Sequence, residues 1–252
     1  MRPVLALARL YLLGSLRRQI HLATLFLGGI LFILPAYVNT FSLGVGAFET
    51  VATDFGLTLI GYFIVGMALM LGSTTVPVDF EARSVYPVLA RPISRTSFLV
   101  AHLLAVAIML GGSLLLLGLC LMASIALMIR TLDAAIFMAL YGCLLQAAVV
   151  AAISLMLSVR LRPAAAAAAG ALLFLVGSFS SDLFQLVLGG PPLLASLMKA
   201  AGPDFSAFTL KGAVVHHLAV SPSYLLSMTL YGLGWIVVAL TIASQAFEDV
   251  DL

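Results

Sequence analysis

Residues 98–129 read FLVAHLLAVAIMLGGSLLLLGLCLMASIALMI and contain no Asp, Glu, Lys or Arg. A helix needs about 20 apolar residues to cross the ~30 Å hydrocarbon core of a bilayer, so this run is long enough for one crossing. It lacks the alternation of polar and apolar residues that marks a membrane β-strand. Backbone groups in lipid must also bond within their own segment. The stretch therefore predicts a transmembrane α-helix.

The composition extends this prediction to the whole chain. Hydrophobic residues make up 63% and charged residues 9% of the 252 positions, whereas a soluble domain carries about 25% charged residues. Most of the surface must therefore face a bilayer. The formal net charge of +2 is too small to indicate a nucleic-acid partner.

Six apolar segments are candidates for membrane spans, and they predict an all-α membrane protein with a single transmembrane domain over residues 1–252. A short helix in residues 3–18, with arginines interleaved among leucines, is expected to lie in the membrane interface before the first span. The alternative is that these residues simply extend that span. The predicted spans are about 20–40, 56–76, 97–129, 134–158, 164–188 and 223–246.

The basic residues predict the orientation, because cytoplasmic loops are enriched in Lys and Arg. With the N-terminus in the cytoplasm, nine of the 12 basic residues lie inside, and both termini are cytoplasmic. The three outside are Arg130, Lys199 and Lys211. The predicted location is a cell membrane, as a multi-pass protein of a bacterial inner or plasma membrane.

An outer connection of moderate length, about 189–222, joins the fifth and sixth spans. Its sequence GPDFSAFTLKGAVVHH predicts a short amphipathic piece at the membrane surface, with a helix start at Pro203-Asp204. His216 and His217 are adjacent and so point to different helix faces, which favours interfacial anchoring over a metal site.

The fifth span is rich in small residues, which let helix backbones approach closely in lipid. Gly170 and Gly177 are seven positions apart and lie on one face. This face predicts either a seam within the subunit or a dimer interface.

The chain has no P-loop and no HExxH or GxSxG motif, so no enzymatic activity and no bound cofactor are predicted. Asp54, Asp133 and Asp182 are expected near the outer ends of spans rather than at mid-membrane depth, which weakens the case for a proton-driven carrier. The sparse polar or polarisable side chains along the expected pathway are Met67, Met70, Thr74, Thr75 and Gln146.

One charged stretch, EARSVYPVLARPISR at residues 81–95, interrupts the apolar sequence between the second and third spans. We call it the charged loop. Pro77 is expected to start a new helix, with Asp79 and Glu81 in its first turn, and Pro87 and Pro92 to break it. The loop fits either a docking element for a soluble protein or a solvated connection.

The pattern of Glu81 followed by Arg91-Pro92-Ile93-Ser94-Arg95 resembles the cytoplasmic loop of ABC-2 type transporter permeases, with His102 where that family commonly has Lys. The segments GPDFSAFTLKGAVVH and LYGLGWIVVALTIASQAF are similar to the C-terminal part of the same permeases. With the six-span layout, the resemblance covers nearly the whole chain.

The resemblance implies the transmembrane permease subunit of an ABC transporter, with a cytoplasmic coupling helix between the second and third spans. Partners would be separate ABC ATPase subunits, which bind ATP and Mg²⁺, and a second permease copy, identical or related. The permease interpretation implies an export-type or lipid-handling transporter, and the apolar pathway favours a hydrophobic or amphipathic substrate over a small ion. The alternatives are a membrane-anchoring scaffold and a stand-alone secondary carrier. The residues implied in ATPase coupling are Asp79, Glu81, Arg83, Tyr86, Arg91 and Arg95.

Overall fold

The computed structural model describes residues 20–39, 45–81, 95–129, 135–183 and 202–248, and within these ranges every regular element is helical. Six long or medium helices and one short helix follow in chain order, with a 3₁₀ turn at Phe205–Phe208 before the short one. The helices are α1 (Ile20–Asn39), α2 (Val45–Glu81), α3 (Arg95–Ile129), α4 (Ile136–Ser158), α5 (Pro163–Leu183), α6 (Lys211–Val215) and α7 (Pro222–Glu248).

Four of these helices contain segments long and apolar enough to cross a membrane, which makes the chain an all-helical membrane protein. The segments are Glu49–Val78 in α2, Thr96–Leu127 in α3, Ile136–Ser158 in α4 and Pro222–Phe247 in α7. Helices α1 and α5 carry the shorter apolar segments Leu22–Ile33 and Pro163–Ser178.

The positions of the predicted spans match those of the described helices except at α2, and four of the six helices are long and apolar enough to cross a membrane. This helix has 37 residues, about 55 Å at 1.5 Å per residue, and begins well before the predicted position 56. The predicted helix start at Pro77 is wrong, because Pro77 lies inside α2. Asp79 and Glu81 therefore belong to the last turn of α2 rather than to the first turn of a new helix. In the turn before Pro77, the hydroxyls of Ser73 and Thr74 donate to the carbonyl oxygen of Met70, and that of Thr75 donates to the carbonyl oxygen of Leu71.

Helix α4 lies at the centre of the bundle and packs against α2, α3, α5 and α7. Within an 18-residue stretch of its membrane segment 61% of the residues are buried, compared with 17% in the corresponding stretch of α7. Helix α1 packs against α3 and α2, and its Phe32 carbonyl accepts a hydrogen bond of 2.7 Å from Ser124. Many large apolar side chains point away from this core, including Phe26, Leu127 and Leu172, as expected of a surface that faces lipid.

Small residues on α2 and α5 close the seams around α4. A Cβ atom on Gly72 would lie 2.6 Å from the carbonyl oxygen of Ala151, and one on Gly170 would lie 2.8 Å from Oγ of Ser154 and 2.9 Å from Leu69. Both glycines are thus required for close helix contact. Of the two predictions for the small-residue face of α5, the seam within the subunit is confirmed at Gly170.

Two further predictions lie outside the described residues. One is the interfacial helix of residues 3–18. The other is the coupling helix of the charged loop, where only the residues at its two ends, Glu81 and Arg95, belong to the described ranges.

Candidate functional site

The part of the connection before α7 that the structure describes, residues 202–221, folds onto the helix bundle. Following the predicted orientation, we call it the outer segment. Asp204 caps the 3₁₀ turn, and its Oδ1 accepts a 3.0 Å hydrogen bond from the backbone N–H of Ser206. The predicted helix start at Pro203-Asp204 is thereby confirmed, although the element is a 3₁₀ turn.

The outer segment is amphipathic as predicted, but protein covers its apolar face. Phe205 and Phe208 are each only 1% exposed, and Val214 is also buried, while His216 and His217 are exposed. The Phe205 ring packs at a tilt against Phe174 of α5, with 5.2 Å between ring centres, and the Phe208 ring lies 5.8 Å from that of Tyr231 of α7. The segment is therefore part of the packed core.

Three glycines make room for this docking. A Cβ atom on Gly142 of α4 would lie 2.4 Å from the carbonyl oxygen of Phe208, and one on Gly177 of α5 would lie 2.4 Å from that of Pro203. On α7, a Cβ atom at Gly232 would lie 3.2 Å from the Phe208 ring. Gly177, which the sequence places on one face with Gly170, therefore contacts the outer segment. No pattern in the sequence indicates its partner, which lies in a different part of the chain.

Two tyrosines of α7 tie the backbone of the outer segment to the bundle. The hydroxyl of Tyr231 accepts a 2.8 Å hydrogen bond from the backbone N–H of Asp204. The hydroxyl of Tyr224 donates a 2.8 Å hydrogen bond to the carbonyl oxygen of Ala207. The N–H of Asp204 and the carbonyl of Ala207 thereby gain the hydrogen-bond partners that backbone groups need when they are shielded from water.

Lys211 connects the outer segment to α2. Its ammonium group donates a 2.9 Å hydrogen bond to Oγ1 of Thr58 and lies 3.5 Å from Oδ1 of Asp54. Both charged side chains are about half exposed, at 40% and 50%. Ion pairs with this exposure contribute only about 0–1 kcal/mol, so the contact mainly fixes where the cationic group lies.

A cavity of about 180 Å³ lies beneath Lys211, between α2, α4, α5 and the outer segment. It extends from Lys211 to Gln146, which is close to the middle of α4. We call it the outer cavity. Its walls are formed by Leu57, Thr58, Gly61, Tyr62, Val65, Cys143, Gln146, Phe174, Ser178, Thr209, Leu210 and Lys211.

The outer cavity combines apolar walls with a few polar groups, which is typical of a small-molecule binding site. Within the described ranges, no three His, Cys, Asp or Glu side chains come together as a metal site would require. The side chains of the cavity can bind and orient a molecule; among the described residues that line it there is no histidine or carboxylate.

Among the polar or polarisable residues predicted to line a pathway, Gln146 is the one that lies on the outer cavity. Met67 is buried, and its sulfur accepts a 3.8 Å hydrogen bond from the hydroxyl of Thr24 on α1. Met70 is 55% exposed on the outside of the bundle. Thr74 and Thr75 bond to their own helix.

The residues predicted to contact an ATPase fall around the junction of α2 and α3. Asp79 and Glu81 are in the last turn of α2, and Arg95 is the first residue of α3. Arg83, Tyr86 and Arg91 lie outside the described residues. The flanking members thus lie at the end of α2 and at the start of α3, and their coupling role stays a prediction.

An aromatic cluster lies next to this junction. His102 is fully buried on α3, and its Nδ1 donates a 3.0 Å hydrogen bond to the carbonyl oxygen of Phe98. The Phe98 ring lies 4.3 Å from the His102 ring and 6.0 Å from that of Phe247 in α7. The residues that follow the charged loop and the end of α7, two segments that carry the family resemblance, therefore pack together.

Neither the models of known protein families nor the curated proteins contain a match to this chain.

Proposed function

We propose that this chain is the transmembrane subunit of an ABC-2 type transporter that exports a hydrophobic or amphipathic substrate. In this proposal, separate ATPase subunits bind ATP and dock on the charged loop. Two permease copies form the transport pathway.

The observation that carries the proposal is the position of the charged loop. Its motif begins at Glu81, the last residue of α2, and ends at Arg95, the first residue of α3. Both helices contain segments that are able to cross a membrane. A polar element between two spans lies at the membrane surface, where a soluble partner can bind it. A movement of that partner would then shift the ends of both helices.

The proposal includes six spans. Helices α1 and α5 have 20 and 21 residues, about 30 Å each, which matches the thickness of the hydrocarbon core. Each packs along a helix that can itself cross the membrane, α1 along α3 and α5 along α4. With six spans, both termini are on the cytoplasmic side together with the charged loop.

Purification of the chain together with an ATPase encoded beside it tests the proposal. We expect a stable complex whose ATP turnover rises when the transported substrate is added to the reconstituted complex. A complex that forms but neither responds to any substrate nor transports one would favour the membrane-anchoring scaffold. Transport by the chain alone would favour a secondary carrier.

The orientation gives a separate prediction. In a variant with Cys120→Ala, Cys143→Ala and Ser84→Cys, the new thiol should react with a membrane-impermeant reagent only after the cells are opened, because the basic residues place the charged loop inside. A cysteine introduced at exposed His216 of the outer segment is the matched control and should react in intact cells. Fast labelling of position 84 from outside would contradict the orientation.

A further inference from the structure

The outer cavity contains polar groups that the surrounding protein leaves unused. The Oγ of Ser178 is buried and has no hydrogen-bond partner among the described residues. A buried hydroxyl without a partner is unfavourable, because it has lost its bonds to water, and native proteins normally pair such groups. Gln146, which offers two donors and an acceptor, lines the same cavity. A bound molecule with hydrogen-bonding groups would satisfy both side chains.

The charges around the cavity favour an uncharged molecule. The cationic group of Lys211 already lies 3.5 Å from the carboxylate of Asp54 and donates to Thr58. An anion at Lys211 would be repelled by Asp54, and a cation would be repelled by Lys211. Transferring an unpaired ion from water to an apolar site is far more costly than transferring a neutral polar group.

The rest of the cavity is suited to a hydrocarbon chain. Leu57, Val65 and Phe174 form apolar walls, and the volume of about 180 Å³ exceeds that of an apolar cavity of about 150 Å³ that accommodates benzene. This is room for a small head group and the first carbons of one chain. Tyr62 lines the cavity and is also 59% exposed, so the cavity reaches the outside of the bundle at α2, where the remainder of a chain can continue along the protein surface.

We propose that the outer cavity is a binding site for an uncharged, single-chain amphiphile whose head group donates and accepts hydrogen bonds, of the monoacylglycerol type. The head group bonds to Gln146 and Ser178, and the chain leaves past Tyr62. This inference goes beyond the transport proposal and stands without it, because it concerns binding to this chain alone.

A glycine in the cavity wall provides a sharp test. A Cβ atom on Gly61 would have only Sγ of Cys143 within 4 Å, at 3.8 Å, so Gly61→Leu extends a side chain from the wall without a clash at its Cβ. Gly66→Leu is the matched control, because Gly66 is on the same helix, lies outside the cavity and has nothing within 4 Å of its Cβ position. Both variants make the same change in helix propensity.

Binding is measured with tritiated 1-decanoylglycerol on the full chain in phosphatidylcholine nanodiscs. We expect saturable binding that Gly66→Leu leaves unchanged and Gly61→Leu weakens at least about tenfold. Gln146→Leu, which keeps the size of the side chain but removes its hydrogen bonds, should weaken binding by about tenfold. Decanoate and decyltrimethylammonium should each compete less well than unlabelled 1-decanoylglycerol.

The fluorescence of Trp235, the only tryptophan of the chain, reports whether each variant is folded. A lack of saturable binding to the unmodified chain would overturn the proposal. So would equal binding by folded Gly61→Leu and Gly66→Leu, unchanged binding by Gln146→Leu, or stronger competition by decanoate than by the neutral compound.

Discussion

Replacing Gly142 by alanine is expected to release the outer segment from the helix bundle. The new Cβ atom would lie 2.4 Å from the carbonyl oxygen of Phe208, far inside van der Waals contact. That oxygen belongs to the backbone, so it cannot move away by a change of side-chain rotamer. The 3₁₀ turn would have to shift as a unit and lose the packing of Phe205 and Phe208, which are buried in the bundle.

We expect the free energy of unfolding to fall by about 1–3 kcal/mol, the usual cost of forcing an extra carbon into a packed core. Trp235 reports this loss through its fluorescence in a thermal or denaturant titration, because it contacts Tyr231, which packs on Phe208. A second measurement is tryptic cleavage after Lys211, which should become faster once the outer segment leaves the bundle.

Gly234→Ala is the matched control, because a Cβ atom at Gly234 would have nothing within 4 Å. This variant should be as stable as the original chain or slightly more so, since alanine is the better helix former. If Gly142→Ala showed the same stability and the same rate of cleavage as Gly234→Ala, the docking of the outer segment on α4 would be refuted.

Replacing Glu81 by alanine is expected to impair coupling to the ATPase or assembly of the complex, and to do so more than Arg95→Ala, if the proposed function is correct. Glu81 is the last residue of α2, where a contact with an ATPase would act directly on a long helix. Removing one member of a desolvated charge pair costs about 2–5 kcal/mol, much of it because the other charge is left unpaired. A loss of 2 kcal/mol corresponds to roughly a 30-fold weaker complex.

The measurements are copurification of the ATPase, ATP turnover and transport in one reconstituted preparation. Arg95→Ala is the matched control. It is expected to have a smaller effect, because Arg95 is predicted to anchor the charged loop at the membrane surface, and rim charges contribute little. A complex that hydrolyses ATP without transport would support coupling through Glu81. Wild-type values for all three measurements would eliminate Glu81 as a coupling contact.

The sequence by itself determined the all-helical character and the positions of most helices. Apolar runs of sufficient length, such as residues 98–129, have no stable alternative to a helix in lipid, because their backbone groups find no other partners there. Pro163 and Pro222 mark helix starts at α5 and α7, where a missing N–H does no harm. These are local properties, and they can be read without knowing any contact between distant residues.

The start of α2 depended on tertiary structure. Residues 45–55 include Glu49, Thr50, Thr53 and Asp54 and so resemble a polar connection. They are helical nonetheless, and Lys211, far along the chain, lies 3.5 Å from the carboxylate of Asp54 and donates to Thr58. The sequence likewise predicts a new helix at Pro77, whereas α2 continues through it. Proline is a common first residue of a helix, but it is also tolerated inside membrane helices.

The outer cavity was decided by tertiary structure alone. The sequence singled out Gln146 as polar and Gly177 as small. It did not show that Gln146 would line one cavity with Ser178 and Lys211, or that Gly142 and Gly177 would contact the outer segment. Such contacts join α2, α4, α5 and the outer segment, and their energy depends on which surfaces fit together. Helix formation in lipid is local and follows from composition, whereas a cavity exists only where several distant segments pack around one space.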